Sequence, residues 1–258
     1  MKVVILAGGL GTRLSEETIL KPKPMVEVGG KPILWHIMKI YSHYDFNEFI
    51  ICIGYKGEII KEYFSNYLLL NNDLHIDISE GRTDLLSRTK EKWKIWLIDT
   101  GMRTNTGGRL KRVGDFIKDD IFMMTYGDGL SDVNIDELLR FHKSHDRLVT
   151  FTAVQPEGRF GSVHFDSEGV VQSFVEKPTG DGGWINGGFY VINKRALELV
   201  EGEDTVWERG PLQSLASTKN LMAYRHKGFW KAMDTLNDKV SLENIWNSGN
   251  APWKVWKE

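Results

Sequence analysis

A chain of 258 residues with 41% hydrophobic and 26% charged side chains fits one large α/β domain or two small ones, with a sizeable core. Its 33 basic and 35 acidic residues leave a net charge of −2, which excludes a global electrostatic case for binding nucleic acid or a membrane surface, so any affinity for phosphate has to be local. Cys52 is the only cysteine. No intramolecular disulfide can form, and the apolar run Phe49-Ile50-Ile51-Cys52-Ile53 marks a buried structural thiol. No apolar run approaches membrane-span length and no leader-like segment precedes the first strand, so the expected location is the cytoplasm.

The apolar run Val3–Ala7 predicts a buried strand that feeds directly into a glycine cluster. Helix Pro32–His43, strand Glu48–Ile53 and helix Glu58–Tyr67 follow, with Pro32 suited to a helix start. Strands His75–Ile78 and Trp93–Asp99, a helix around Gly108–Ile117, strand Phe122–Tyr126, helix Ile135–His145 and strand Leu148–Val154 continue the alternation. This pattern predicts an α/β fold with a mostly parallel, mixed central sheet flanked by helices. The texture then changes to shorter strands, Ser162–Phe165, Val170–Glu176 and Gly187–Ile192, separated by Gly, Asp and Pro turns. Helix Pro211–Ser217, strand Leu221–His226 and helix Thr235–Ser248 close the chain, and Trp253 and Trp256 in the tail are expected to pack on the body or on another subunit.

Four motifs carry chemistry. The first is Leu6-Ala7-Gly8-Gly9-Leu10-Gly11-Thr12-Arg13-Leu14, followed by Lys21-Pro22-Lys23-Pro24. Glycines after a strand let backbone amides approach phosphate, and Arg13 and Lys23 add positive charge. No Gly-Lys-Ser/Thr follows, so this is not a P-loop, and Leu14 stands where a dinucleotide fingerprint needs its third glycine. The second is Tyr126-Gly127-Asp128-Gly129, which puts Asp128 at the carboxyl end of a strand, where α/β sheets gather ligands; a turn or cap residue is the bland alternative. The third is Glu176-Lys177-Pro178 with Asn186-Gly187-Gly188 after it, and the fourth is Thr104-Asn105-Thr106-Gly107-Gly108-Arg109. None of the seven histidines lies in a catalytic pattern.

In their order and spacing these motifs resemble those of the sugar-1-phosphate nucleotidyltransferases, the nucleotide-sugar pyrophosphorylases, over nearly the whole chain. The resemblance implies a Rossmann-like domain spanning 1–258 with a β-rich sugar-binding part rather than a separate domain, with 1–130 mainly nucleotide-binding and 131–258 mainly binding sugar phosphate and mediating oligomerisation. It implies that Leu6, Ala7, Gly8, Gly9, Leu10, Gly11, Thr12, Arg13, Lys23, Thr104 and Arg109 bind nucleotide, with Arg13, Lys23 and Asp128 catalytic. Tyr126, Glu176, Lys177, Asn186 and Gly187 would hold the sugar phosphate, and Asp128 and Asp234 would ligate Mg²⁺, although Asp234 and Thr235 compete to cap the last helix. The Thr104–Arg109 loop, Gly158-Arg159-Phe160-Gly161 and Ala251-Pro252-Trp253 are more similar to a cytidylyl-transferring branch. That branch implies CTP and α-D-glucose 1-phosphate as substrates, CDP-glucose and diphosphate as products, a homo-oligomer with a hexamer as one candidate, and a place in surface-polysaccharide synthesis. A member using UTP or dTTP, or a catalytically silent nucleotide-sugar-binding regulatory subunit, stays open as an alternative.

Overall fold

The computed structural model describes residues 1–156, 158, 162–175 and 183–257. A seven-stranded sheet forms its centre. Its strands are β1 (Val3–Leu6), β2 (Glu48–Ile53), β3 (Lys94–Asp99), β4 (Ile121–Tyr126), β5 (Val149–Val154), β6 (Ile185–Asn193) and β7 (Leu221–Arg225), in the spatial order β7-β5-β6-β4-β1-β2-β3. Strand β6 runs antiparallel to both its neighbours, and the remaining pairs are parallel. The expected mostly parallel, mixed sheet is therefore present.

Period-two alternation sorts the apolar side chains onto two faces. Val3 and Ile5 join a core with the Ile33–His43 helix, Leu138 and Leu242, whereas Val4 and Leu6 join one with Leu110, Trp207 and Leu215. Strands buried on both sides read as continuous apolar runs, which is why Val3–Ala7 and Glu48–Ile53 stand out in the sequence. Cys52 belongs to the second core, and burial pushes its thiol up to about 12, so it is an inert packing group. No described helix is long and apolar enough to cross a membrane.

Pro32 stands at the helix start as expected, as the N-cap before Ile33, and it also pairs with Glu27 in a small antiparallel ribbon. Several other local expectations need correction. The helix expected around Gly108–Ile117 starts earlier, at Thr106, and stops at Arg112, with a separate turn over Gly114–Phe116. Leu74–Asp77 lies outside the central sheet and pairs with Arg82–Leu85, a strand whose polar sequence carries no apolar pattern. Of the three short strands expected together, Ser162–Phe165 and Val171–Val175 form their own hairpin, whereas Gly187–Ile192 belongs to the nine-residue β6 inside the central sheet.

The tail packs on the body. Trp253 is fully buried, and its indole N–H donates to His36 Nδ1 at 3.4 Å. His36 Nε2 must then carry the ring proton and donate to the Val28 carbonyl at 2.8 Å. Trp35, Trp246 and Trp253 meet the imidazole edge-on. Burial pulls His36 down from the ordinary 6.5 to about 4, so folding favours its neutral form. Between those values the unfolded chain binds more protons, so stability is full above pH 6.5 and falls as the pH drops towards 4. Urea midpoints should fall more steeply over this window in the wild type than in His36→Gln; parallel curves would remove His36 as the cause.

Candidate active site

The chain builds β1, β2 and β3 in one direction and then returns to place β4 on the other side of β1. Ligand crevices form at such a reversal, beyond the carboxyl ends of the strands. A cleft of about 800 Å³ lies there, walled by the Leu6–Thr12 segment, Lys23, Pro24, residues 102–106, Arg109 and the Tyr126–Asp128 turn.

At one end of the cleft, Lys23 Nζ lies 2.6 Å from Asp128 Oδ2 and 2.6 Å from Asp234 Oδ1. Lys23 is buried in the tight turn Lys23–Met25, whose entry is fixed by Pro22. Asp128 follows β4, and the Gly127 amide donates to the Leu6 carbonyl at 3.0 Å. The antiparallel ribbon of Gly129–Ser131 with Trp230–Ala232 brings the distant aspartate in, and the Met233 amide donates to the Asp128 carbonyl at 2.9 Å. Thr235 takes the capping role in full: its hydroxyl accepts from the Asp238 amide while its own amide donates to Asp238 Oδ2. The carboxylate of Asp234 is thus turned to Lys23 rather than to the helix. Two carboxylates that share one cation fit Mg²⁺, which takes one or two protein carboxylates and completes its shell with phosphate and water. Among the described residues no group of three or more His, Cys, Asp or Glu could hold a metal ion.

Arg109 sits below the glycine segment and is almost fully buried. Its Nη2 donates to the Gly8 carbonyl at 2.9 Å, and Nη1 donates to Thr100 Oγ1 at 2.6 Å and to the Ile53 carbonyl at 3.2 Å. Its charge is spent on carbonyls that end β1 and β2, so it shapes the floor of the cleft. Gly8 is required for the same reason: a Cβ there would lie 2.1 Å from Arg109 Nη1. Thr104, also buried, lines the same wall, and Leu10 is exposed at the rim. Gly9, Gly11 and Thr12 line the mouth, and Arg13 lies in the turn Thr12–Leu14.

On the opposite side Tyr126 ends β4, and its hydroxyl donates to Glu208 Oε1. The Asn186 amide donates to the hydroxyls of Tyr126 and Tyr190, and Asn186 Oδ1 accepts from the Gly188 amide at 2.9 Å. Gly188 has φ +81°, and a Cβ there would meet the Tyr126 ring at 2.7 Å. Gly187 lies where the β5–β6 register shifts, and its carbonyl accepts from the Trp230 indole at 2.7 Å. Burial and the neighbouring Tyr190 and Glu208 push the Tyr126 phenol far up, so it stays a neutral donor. Glu208 is absent from every sequence motif; its only signal is the bulky Trp207 beside it, which is buried in the core. Glu176 and Lys177 lie outside the described residues.

The Gly8–Arg109 contact is testable by unfolding. Gly8→Ala should cost about 2–4 kcal/mol, because displacing the guanidinium breaks the hydrogen bonds that satisfy this buried charge. In an Arg109→Met background the same substitution should cost much less. An unchanged cost in that background would contradict the contact.

Comparison with known proteins agrees with this geometry. The nucleotidyl transferase family model matches residues 2–231. The chain is 55% identical to the glucose-1-phosphate cytidylyltransferases of Salmonella typhi and Salmonella typhimurium, over 100% of each protein. The structure of HddC from Yersinia pseudotuberculosis superposes with a TM-score of 0.67 at 25% identity, over 95% of this chain and 99% of that one. With its cleft at the strand reversal, its paired aspartates and this full-length similarity, the chain belongs to the nucleotidyl transferase family.

Proposed function

We propose that the chain transfers a cytidylyl group from CTP to α-D-glucose 1-phosphate, giving CDP-glucose and diphosphate. The observation that carries this reading is the 55% identity, over the full length of both chains, to a glucose-1-phosphate cytidylyltransferase. The cleft supports it. Its glycine-lined side offers backbone to a nucleotide, and its other side offers Tyr126 and, beyond it, Asn186 towards a sugar. Attack of the sugar phosphate on the α-phosphorus brings two polyanions together, so charge repulsion is the first barrier. Lys23, together with Arg13 and Lys177 from the sequence motifs, would lower it. A phosphate monoester is already ionised at neutral pH, so no residue has to act as base, and positioning dominates the rate. Asp128 and Asp234 would hold Mg²⁺, which when bound supplies charge neutralisation at the transferring phosphoryl group.

The same reading includes a cytoplasmic homo-oligomer, with a hexamer as one candidate arrangement. Its support is the apolar surface on the two accessory hairpins, where Ile76, Leu85, Val171 and Phe174 are exposed.

Diphosphate release with glucose 1-phosphate and Mg²⁺, measured separately with CTP, UTP, dTTP, ATP and GTP, should occur with CTP alone and yield CDP-glucose. Asp128→Asn should lower kcat/KM by about 10³-fold. Release with another nucleotide would overturn the substrate assignment, and no release with any would point to a silent binder.

A further inference from the structure

Glu208 lies outside the motifs, yet its carboxylate meets both walls of the cleft. Oε2 accepts from Thr106 Oγ1 at 2.7 Å, and Oε1 accepts from the Tyr126 hydroxyl. Thr106 opens the helix that carries Arg109 one turn later, and Arg109 in turn fixes the carbonyl of Gly8. Tyr126 stands two residues before Asp128 and bonds with Asn186 and Tyr190 on the sugar side. One carboxylate therefore links the element under the glycine segment to the turn that bears a candidate metal ligand.

The hydrogen bonds have a direction. Asn186 donates to the two tyrosine hydroxyls, Tyr126 donates on to Glu208, and Thr106 donates to Glu208 from the other wall. Only an acceptor with two free oxygens satisfies both terminal donors at once; a glutamine would turn an amide group towards one of them. The segment before Glu208 is also tied to the Thr106 helix. The Asn105 amide donates to the Glu203 carbonyl at 2.9 Å, the Gly107 amide to the Thr205 carbonyl at 2.9 Å, and the Trp207 amide to Thr106 Oγ1 at 2.9 Å. Thr106 Oγ1 thus accepts from one residue and donates to the next, which holds the carboxylate in a single orientation. Trp207, fully buried, anchors the segment in the core.

We propose that Glu208 is a positioning residue that couples the nucleotide side of the cleft to the sugar-phosphate side through Thr106 and Tyr126. The proposal rests on the nucleotidyl-transfer reading given above and adds a residue to it. Removing Glu208 lets the two walls relax independently, and small misplacements of reacting groups are costly in a reaction governed by positioning.

The test measures kcat and the KM for each substrate in the wild type, Glu208→Ala, Glu208→Gln, Thr106→Val, Tyr126→Phe and the double variants with Glu208→Ala. Glu208→Ala should raise both KM values and lower kcat/KM by about 10- to 100-fold, with Glu208→Gln intermediate. Tyr126→Phe should add less than about twofold on the Glu208→Ala background. A folded Glu208→Ala protein with kcat and both KM values within twofold of wild type, or effects that multiply in the double variants, would overturn the coupling. Urea-unfolding cycles between Thr106→Val and Tyr126→Phe need no substrate and separate this inference from the activity assignment. The pair should be non-additive with Glu208 present and additive in Glu208→Ala; additivity in both backgrounds would overturn the link, whereas a wild type without turnover would count only against the assigned reaction.

Discussion

The ammonium of Lys23, 2.6 Å from Asp128 and 2.6 Å from Asp234, joins three segments that are far apart in the chain. Two unit charges of like sign 4 Å apart repel by about 4 kcal/mol at an effective dielectric of 20, so a partly buried pair of aspartates needs a cation between them. Lys23 meets that need and is itself buried, so each of the three groups depends on the other two. The same arrangement gives the cleft its chemistry. Under the proposed reaction Lys23 would meet the entering phosphate, and Asp128 and Asp234 would hold the divalent cation.

The rest of the fold holds this triad in place. β1 and β4 are neighbours across the strand reversal, so the glycine segment and the Asp128 turn leave the sheet side by side. The ribbon of Trp230–Ala232 on Gly129–Ser131 sets the depth of Asp234. On the far wall Arg109 uses its charge inwardly, on the Gly8 and Ile53 carbonyls and the Thr100 hydroxyl, at or just beyond the ends of β1, β2 and β3. One arginine in the motif thus acts as scaffold, and the positive charge offered to a ligand has to come from elsewhere.

Much of this was legible in the sequence because it is written in residue type. Val3–Ala7 and Glu48–Ile53 are plain as strands because both faces are covered, so no polar position blurs the run, whereas Gly187–Ile192 reads as a short accessory strand and is part of the central sheet. The glycine segment, Lys23 and the Tyr126–Asp128 turn were visible as motifs, and the structure lines one cleft with them. What stayed hidden depends on tertiary contact. Arg82–Leu85 is a strand only because Leu74–Asp77 pairs with it. The ribbon that pairs Pro32 with Glu27 has no signal in residue type either. The reason for Gly8 lies 101 residues away, at Arg109. Apart from the neighbouring Trp207, Glu208 carries no signal because a single carboxylate in a loop has no pattern; the convergence of Thr106 and Tyr126 marks it.

The central claim is that Asp128 and Asp234, brought together by the fold, form one cation site. Mn²⁺ binding in the presence of CTP, followed by electron paramagnetic resonance, tests it most directly. The account predicts one site per chain in the wild type, weakened at least tenfold by Asp128→Asn and equally by Asp234→Asn. Wild-type binding in either variant would contradict it.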